Sequence, residues 1–168
     1  MQEESMRKVI VLCLAVCAVS LSAATATKKK STMKAAEPMM ATMPAAMKWG
    51  DAPPFLVKGA QAVVLQGDPS KAGFFALRLR LPDGYRIAPH WHPTEERLTV
   101  ISGTFHLAMG DSFDTSAGSA MSQGSYGYIP PKMHHYAWAS GATEVQVEGP
   151  GPFILTYVNP KDDPRKAK

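Results

Sequence analysis

The chain has 168 residues, 45% of them hydrophobic and 19% charged, which is enough apolar material for one domain with its own core and too much for a disordered polypeptide. Its formal net charge of +4 sits at the ends. Lys28, Lys29, Lys30, Lys34 and Lys48 outnumber Glu37 and Asp51 near the N-terminus, and Lys161, Arg165, Lys166 and Lys168 outnumber Asp162 and Asp163 near the C-terminus. A near-neutral centre between solvated basic arms argues against nucleic-acid binding. The two cysteines, Cys13 and Cys17, both fall close to the N-terminus, so thiolate ligands, thiol nucleophiles and disulfides are excluded from the remainder.

Residues 1–26 read as a secretory signal peptide. Met6-Arg7-Lys8 is a basic start, Val9 to Leu21 an apolar run, and Ala24-Thr25-Ala26 a small-x-small cleavage site. The apolar run is short of the roughly 20 residues of a membrane span, so a soluble periplasmic or secreted protein is expected, with no membrane association after cleavage. Residues 27–52 are rich in Lys, Ala, Met and Pro and hold no helical or strand period; they read as a flexible leader.

From Pro53 the pattern changes, and residues 53–160 read as a single domain followed by a basic tail, 161–168. Gly59 to Leu65 is a short apolar run, and Gly67-Asp68-Pro69-Ser70 is a turn. Phe75, Leu77, Leu79 and Leu81 alternate with Ala76, Arg78 and Arg80, the period-2 signature of a strand with one apolar face. Pro82-Asp83-Gly84 is another turn. Arg97 to Ile101 and Thr104 to Met109 flank Ser102-Gly103, which reads as two strands joined by a tight reversal. Asp111 to Gly118 is a polar loop, and Tyr126 to Ile129, Tyr136 to Trp138, Glu144 to Val147 and Phe153 to Val158 are further short runs. No segment has the length and amphipathic period of a helix. Some eight short strands with frequent turns predict an all-β sandwich or barrel.

The chemistry concentrates in Pro89-His90-Trp91-His92-Pro93-Thr94-Glu95-Glu96. On a strand, residues i and i+2 share a face, so His90 and His92 can address one ion while Trp91 points away. Pro93 breaks the strand, and Glu96 follows a short bend from which a carboxylate can return. Pro130-Pro131-Lys132-Met133-His134-His135 is a turn entering a strand and supplies another imidazole, from His134 or His135. Three imidazoles and a carboxylate suit a first-row transition metal, Fe, Mn, Ni, Zn, Cu or Co, with room for a further ligand. His106 alternates with Phe105 and Leu107 and reads as a surface or sheet-packing residue. Trp91, Tyr136 and Trp138 fall on the parity opposite to the ligands. Arg78 and Arg80 face either a substrate carboxylate or solvent.

The spacing Gly84-x5-His90-x-His92-x3-Glu96-x6-Gly103, followed by Gly124-x5-Pro130 with His135 five residues on, resembles the two motifs of the bacterial single-domain cupins over about Trp49 to Pro160. Lys132 replaces the usual turn glycine of the second motif, and Ala139 its later asparagine. The resemblance implies a double-stranded β-helix, the cupin or jelly-roll barrel. It implies a homodimer and a divalent metal on His90, His92, Glu96 and His135. It implies a small-molecule substrate or ligand: an oxygen-dependent oxidation, a non-redox lyase, isomerase or decarboxylase reaction, or metal and small-ligand binding without turnover. No catalytic residue beyond the ligands is assigned; His134, Tyr128 and Arg80 are the candidates.

Overall fold

A computed structural model describes residues 39–166; the expected signal segment with Cys13 and Cys17, most of the leader and the last two residues lie outside them. Nine antiparallel strands follow in order: β1 (Gly50–Asp51), β2 (Gln61–Gln66), β3 (Gly73–Leu81), β4 (Arg86–Trp91), β5 (Glu96–Met109), β6 (Ser119–Ser122), β7 (Tyr126–Ile129), β8 (His135–Gly151) and β9 (Thr156–Tyr157). The only helical pieces among the described residues are three short 3-10 turns, at Pro44–Ala46, Pro160–Asp162 and Pro164–Lys166. The strands lie in the order β1-β2-β3-β8-β4-β9, with β5 pairing β6, β7 and β8. This is an all-β double-stranded β-helix within the compact unit Met40–Lys168.

The alternation read in β3 holds. Phe75, Leu77, Leu79 and Leu81 are buried in the core. On the outer face Arg78 donates to Gln146 and Glu144, and Arg80 donates to Glu144 and lies over the Trp49 ring. The two arginines therefore brace the sheet from outside and do not reach the barrel interior.

Ser102-Gly103 is not a reversal. β5 runs unbroken for 14 residues, and its register against β8 shifts on both sides of Ser102. Gly103 has φ 78°. It marks a bulge, which adds one residue and so switches which parity faces inward. Glu96, Leu98 and Val100 face inward before it, Phe105 and Leu107 after it. A hairpin and a bulge both call for a glycine at positive φ, so the local sequence does not separate them; the pairing to β8 does. The runs at Tyr136 to Trp138 and Glu144 to Val147 likewise merge into the single 17-residue β8. Each long strand serves both walls of the barrel, and the corner where β5 meets β8 is bent around Gly103 and Gly141.

The opposite face of β5 and β8 carries a second, smaller cluster of Ala108, Tyr136 and Trp138, with Phe113 packed against it. His106 stacks on Trp138 at 4.5 Å between centroids with rings 6° apart. It is a sheet-packing residue, as its parity predicts.

Candidate metal centre

β4 and β8 pair with His90 opposite His135. That register carries His135 across to the histidines at the end of β4, and Glu96 at the start of β5 comes in beside them. Four polar side chains result at the edge of an otherwise apolar core: His90, His92 and His135 are 2–3% exposed and Glu96 8%. One ring nitrogen from each histidine lies within 4.8 Å of those of the other two. Glu96 Oε2 is 3.2 Å from His135 Nε2 and 3.5 Å from His92 Nε2.

The outer nitrogens show how the rings are held. Nδ1 of His90 donates to the Ala88 carbonyl at 2.8 Å, Nδ1 of His92 to the Ile154 carbonyl at 2.8 Å, and Nδ1 of His135 to the Met133 carbonyl at 2.9 Å. A carbonyl only accepts, so each Nδ1 carries a proton and, in the neutral ring, Nε2 keeps its lone pair. Carbonyls that fix tautomer and ring plane in this way are the usual outer support of metal-binding histidines. Phe153 stacks on His92 at 4.5 Å and 15°, and Tyr157 lies 6.2 Å from the His90 ring.

The same geometry sets the charges. Burial pushes His90 well below the ordinary imidazole value, and the neighbouring His135 and His92 add to it. Burial also lowers His92, against the pull of Glu96. For His135 burial works downward, but the hydrogen bond and charge of Glu96 outweigh it and raise the group. Burial opposes the charge on Glu96, yet the surrounding imidazoles hold its carboxyl at about 2. The result is an ionised carboxylate among imidazoles, two of which are held neutral. Nε2 of His92 is buried with no hydrogen-bond partner, a costly state for a polar atom unless something else occupies it. A nitrogen-and-oxygen donor set with no sulfur fits a divalent first-row metal.

His134, the alternative at the same turn, points away: it is 40% exposed and its Nδ1 meets Asp111 Oδ1 at 2.6 Å. Lys132 adopts φ 63°, the conformation of the glycine it replaces, and its N–H donates to the His92 carbonyl at 2.7 Å. The turn is kept, and it ties the segment of His92 to the turn that precedes His135. Glu95 meets Arg97 at 2.7 Å, with Tyr128 Oη at 3.4 Å, on the outside. His134, Tyr128 and Arg80 are therefore all turned from the cluster. Phe153 and the Ile154 carbonyl were not legible as site groups, since they lie 61 and 62 residues from His92 and no local pattern marks them.

The sequence profile of the ChrR cupin-like domain matches residues 37–153. No curated protein matches the chain. Among solved structures, the polyketide cyclase RemF of Streptomyces resistomycificus superposes with a TM-score of 0.62 at 18% identity, covering 76% of this chain and 90% of that one. An acetylacetone dioxygenase of Acinetobacter johnsonii gives 0.58 at 16%, covering 78% and 84%, and a cupin 2 conserved barrel domain protein of Rhodopseudomonas palustris gives 0.55 at 16%, covering 72% and 86%. At these identities the likeness is one of fold.

Proposed function

The chain belongs to the ChrR cupin-like domain family, and from that premise we propose an exported, homodimeric metalloenzyme that oxidises a small oxygenated organic molecule with dioxygen. The observation that carries the reading is the convergence of three imidazoles whose Nδ1 atoms are tied to carbonyls, leaving the buried Nε2 of His92 without a partner. His90, His92 and His135 would hold a divalent ion through Nε2, and Glu96 through its carboxylate. When bound, a redox-active ion supplies a place where dioxygen and a chelating oxygen ligand are activated together. The protein's own part is to fix the donors, to keep His90 and His92 neutral by burial, and to keep bulk water from the apolar interior.

The wall on the enclosed side of the donors supplies no acid or base beyond Glu96. The cavity beside them is lined, apart from His90, Glu96 and His135, by apolar side chains only. A lyase, isomerase or decarboxylase must move protons at carbon and needs a positioned acid or base. Here only Glu96 could serve, at the expense of its place among the ligands. The same lack supports a second reading, in which the ion and a small ligand are held without turnover.

The test uses the full chain loaded in turn with Fe(II), Mn(II), Ni(II), Cu(II), Co(II) and Zn(II). Metal per chain is read by elemental mass spectrometry, and oxygen uptake is followed with β-diketones, flavonols and other chelating oxygen donors. One ion per chain, lost in His135→Ala and kept in His134→Ala, with oxygen uptake on a chelating substrate, is the expected result. Stoichiometric metal without uptake on any substrate selects the binding reading. Absence of metal in every case overturns both. N-terminal sequencing of the exported protein locates any cleavage at Ala26.

A further inference from the structure

Ahead of β1 the chain carries a run of soft donors that the barrel does not use. Met40-Ala41-Thr42-Met43-Pro44-Ala45-Ala46-Met47 brings three thioethers into eight residues and holds no histidine, carboxylate or thiol. Its C-terminal side is anchored: Gly50–Asp51 pairs with β2, and the Arg80 guanidinium lies 3.8 Å from the centroid of the Trp49 ring. Between Met43 and Met47 the chain passes through a 3-10 turn. Pro44 opens it, the Ala46 N–H donates to the Met43 carbonyl at 2.9 Å, and the Met47 N–H donates to the Pro44 carbonyl at 3.3 Å.

Packing does not account for these side chains. Methionine ordinarily fills gaps in a core, as Met121 does here at 8% exposure, yet Met40 is 67% and Met43 65% exposed. None of the three packs against either hydrophobic cluster of the barrel. Apolar residues scattered singly over a surface need no explanation, but these recur in one short run. What they share is sulfur. A thioether is a neutral, polarisable donor that suits Cu(I), whereas divalent ions of the imidazole centre prefer nitrogen and oxygen. The spacing lets the three sulfurs converge. Met43 and Met47 bracket a turn that advances about 2.0 Å per residue, about 8 Å in all, and Met40 lies at most about 11 Å from Met43 even along an extended chain. Long, unbranched, flexible side chains close gaps of that size.

We propose that Met40, Met43 and Met47 form a Cu(I) site that shares no residue with the imidazole centre and takes a different class of ion. The ion binds and leaves as Cu(I), with no change of oxidation state. A thioether has no proton to lose, so no proton competes with the ion for these donors, whereas an imidazole ligand must be deprotonated before it binds. The thioether site therefore keeps its affinity in mild acid, where the imidazole centre loses its own. The inference is independent of the oxidative reading, since it uses none of His90, His92, Glu96 and His135.

The test is an anaerobic titration of the full chain with Cu(I) against a chromogenic Cu(I) chelator. All proteins carry Cys13→Ser and Cys17→Ser, so that no thiol competes. His135→Ala disables the imidazole centre, and Met40→Leu, Met43→Leu and Met47→Leu together remove the thioethers. Leucine keeps their size and apolar character, and circular dichroism checks that the fold is intact. The expected result is one Cu(I) per chain in His135→Ala, with the same affinity at pH 5.5 and pH 7.5, weakened at least tenfold by the three leucines. The same loss on adding the leucines to the chain with His135 intact guards against a failure of His135→Ala to fold. Copper X-ray absorption on His135→Ala should show sulfur neighbours only. Ag(I), a redox-inert stand-in, should shift the methyl NMR signals of Met40, Met43 and Met47 and leave those of Met109, Met121 and Met133. Cu(I) affinity undiminished by the three leucines, or copper held by nitrogen alone, overturns the thioether site and leaves the imidazole centre untouched. Sulfur-bound Cu(I) in a chain that takes up no divalent ion keeps the thioether site and overturns the imidazole centre.

Discussion

Replacing Gly103 with alanine should damage the corner of the barrel where β5 bends against β8. Gly103 has φ +78°, and a Cβ built there would lie 2.5 Å from the Ala142 carbonyl oxygen, 2.6 Å from Thr143 Oγ1 and 2.8 Å from Thr143 Cα. Left-handed backbone costs an alanine about 1–2 kcal/mol. Contacts that short against backbone force β5 and β8 apart, at a further cost of about 1–3 kcal/mol by analogy with overpacked cores. The stiffer unfolded chain returns about 0.4–1 kcal/mol, so the net loss is about 1–4.5 kcal/mol, a large part of the 5–15 kcal/mol typical of a domain. At roughly 4 °C per kcal/mol for a domain of this size, the melting temperature should fall by about 4–18 °C. The assay is thermal unfolding by circular dichroism on the full chain with chelator present, so that metal does not contribute. Gly124→Ala is the control: Gly124 has φ +84°, but nothing lies within 4 Å of its Cβ position. It should lose only the backbone strain, about 0–1.5 kcal/mol after the same offset. Equal losses in the two variants would show that the corner tolerates a side chain, and the bulge argument would fail.

Three further outcomes are expected. Phe153→Ala removes the ring stacked on His92 and should weaken metal binding about tenfold, in the range found for supporting residues around metal ligands; competition with a chromogenic chelator measures it, and an unchanged affinity would mean that the Ile154 carbonyl alone holds the ring. Because Glu96 raises His135 above the ordinary imidazole value, a proton and the ion compete for Nε2 already near neutral pH. Apparent affinity should therefore fall as pH falls through that raised value, with proton release seen by calorimetry in buffers of different ionisation enthalpy; a pH-independent affinity down to pH 5 would contradict this. Lys132→Gly relieves about 1–2 kcal/mol of left-handed strain against about 0.5–1 kcal/mol of added chain entropy, so it should stabilise the chelated protein by up to about 1.5 kcal/mol in urea unfolding, whereas Lys132→Ala should gain nothing.

What was readable in the sequence was what short-range chemistry encodes. The parity of Phe75 to Leu81 placed the core face of β3, the i, i+2 spacing of His90 and His92 aimed both at one side, and the alternation around His106 put it outside. Turn residues located the strand ends. These are properties of a few consecutive residues, and a pleated backbone leaves them little freedom. Strand continuity was different. Glycine at positive φ serves a hairpin and a bulge equally well, so β5 and β8 became single strands only through their mutual pairing. The choice between His134 and His135 was likewise made by register: His135 sits opposite His90, and its neighbour therefore faces Asp111. The Ile154 carbonyl that holds His92 and the ring of Phe153 stacked on it come from a segment distant in the chain. Their placement depends on the sum of many weak packing contacts, which no local pattern carries. The sequence alone determined which residues could be ligands and which way their strand would turn them; the tertiary structure decided which of them meet and how their protons are placed, because only the closed barrel sets the registers that bring those segments together.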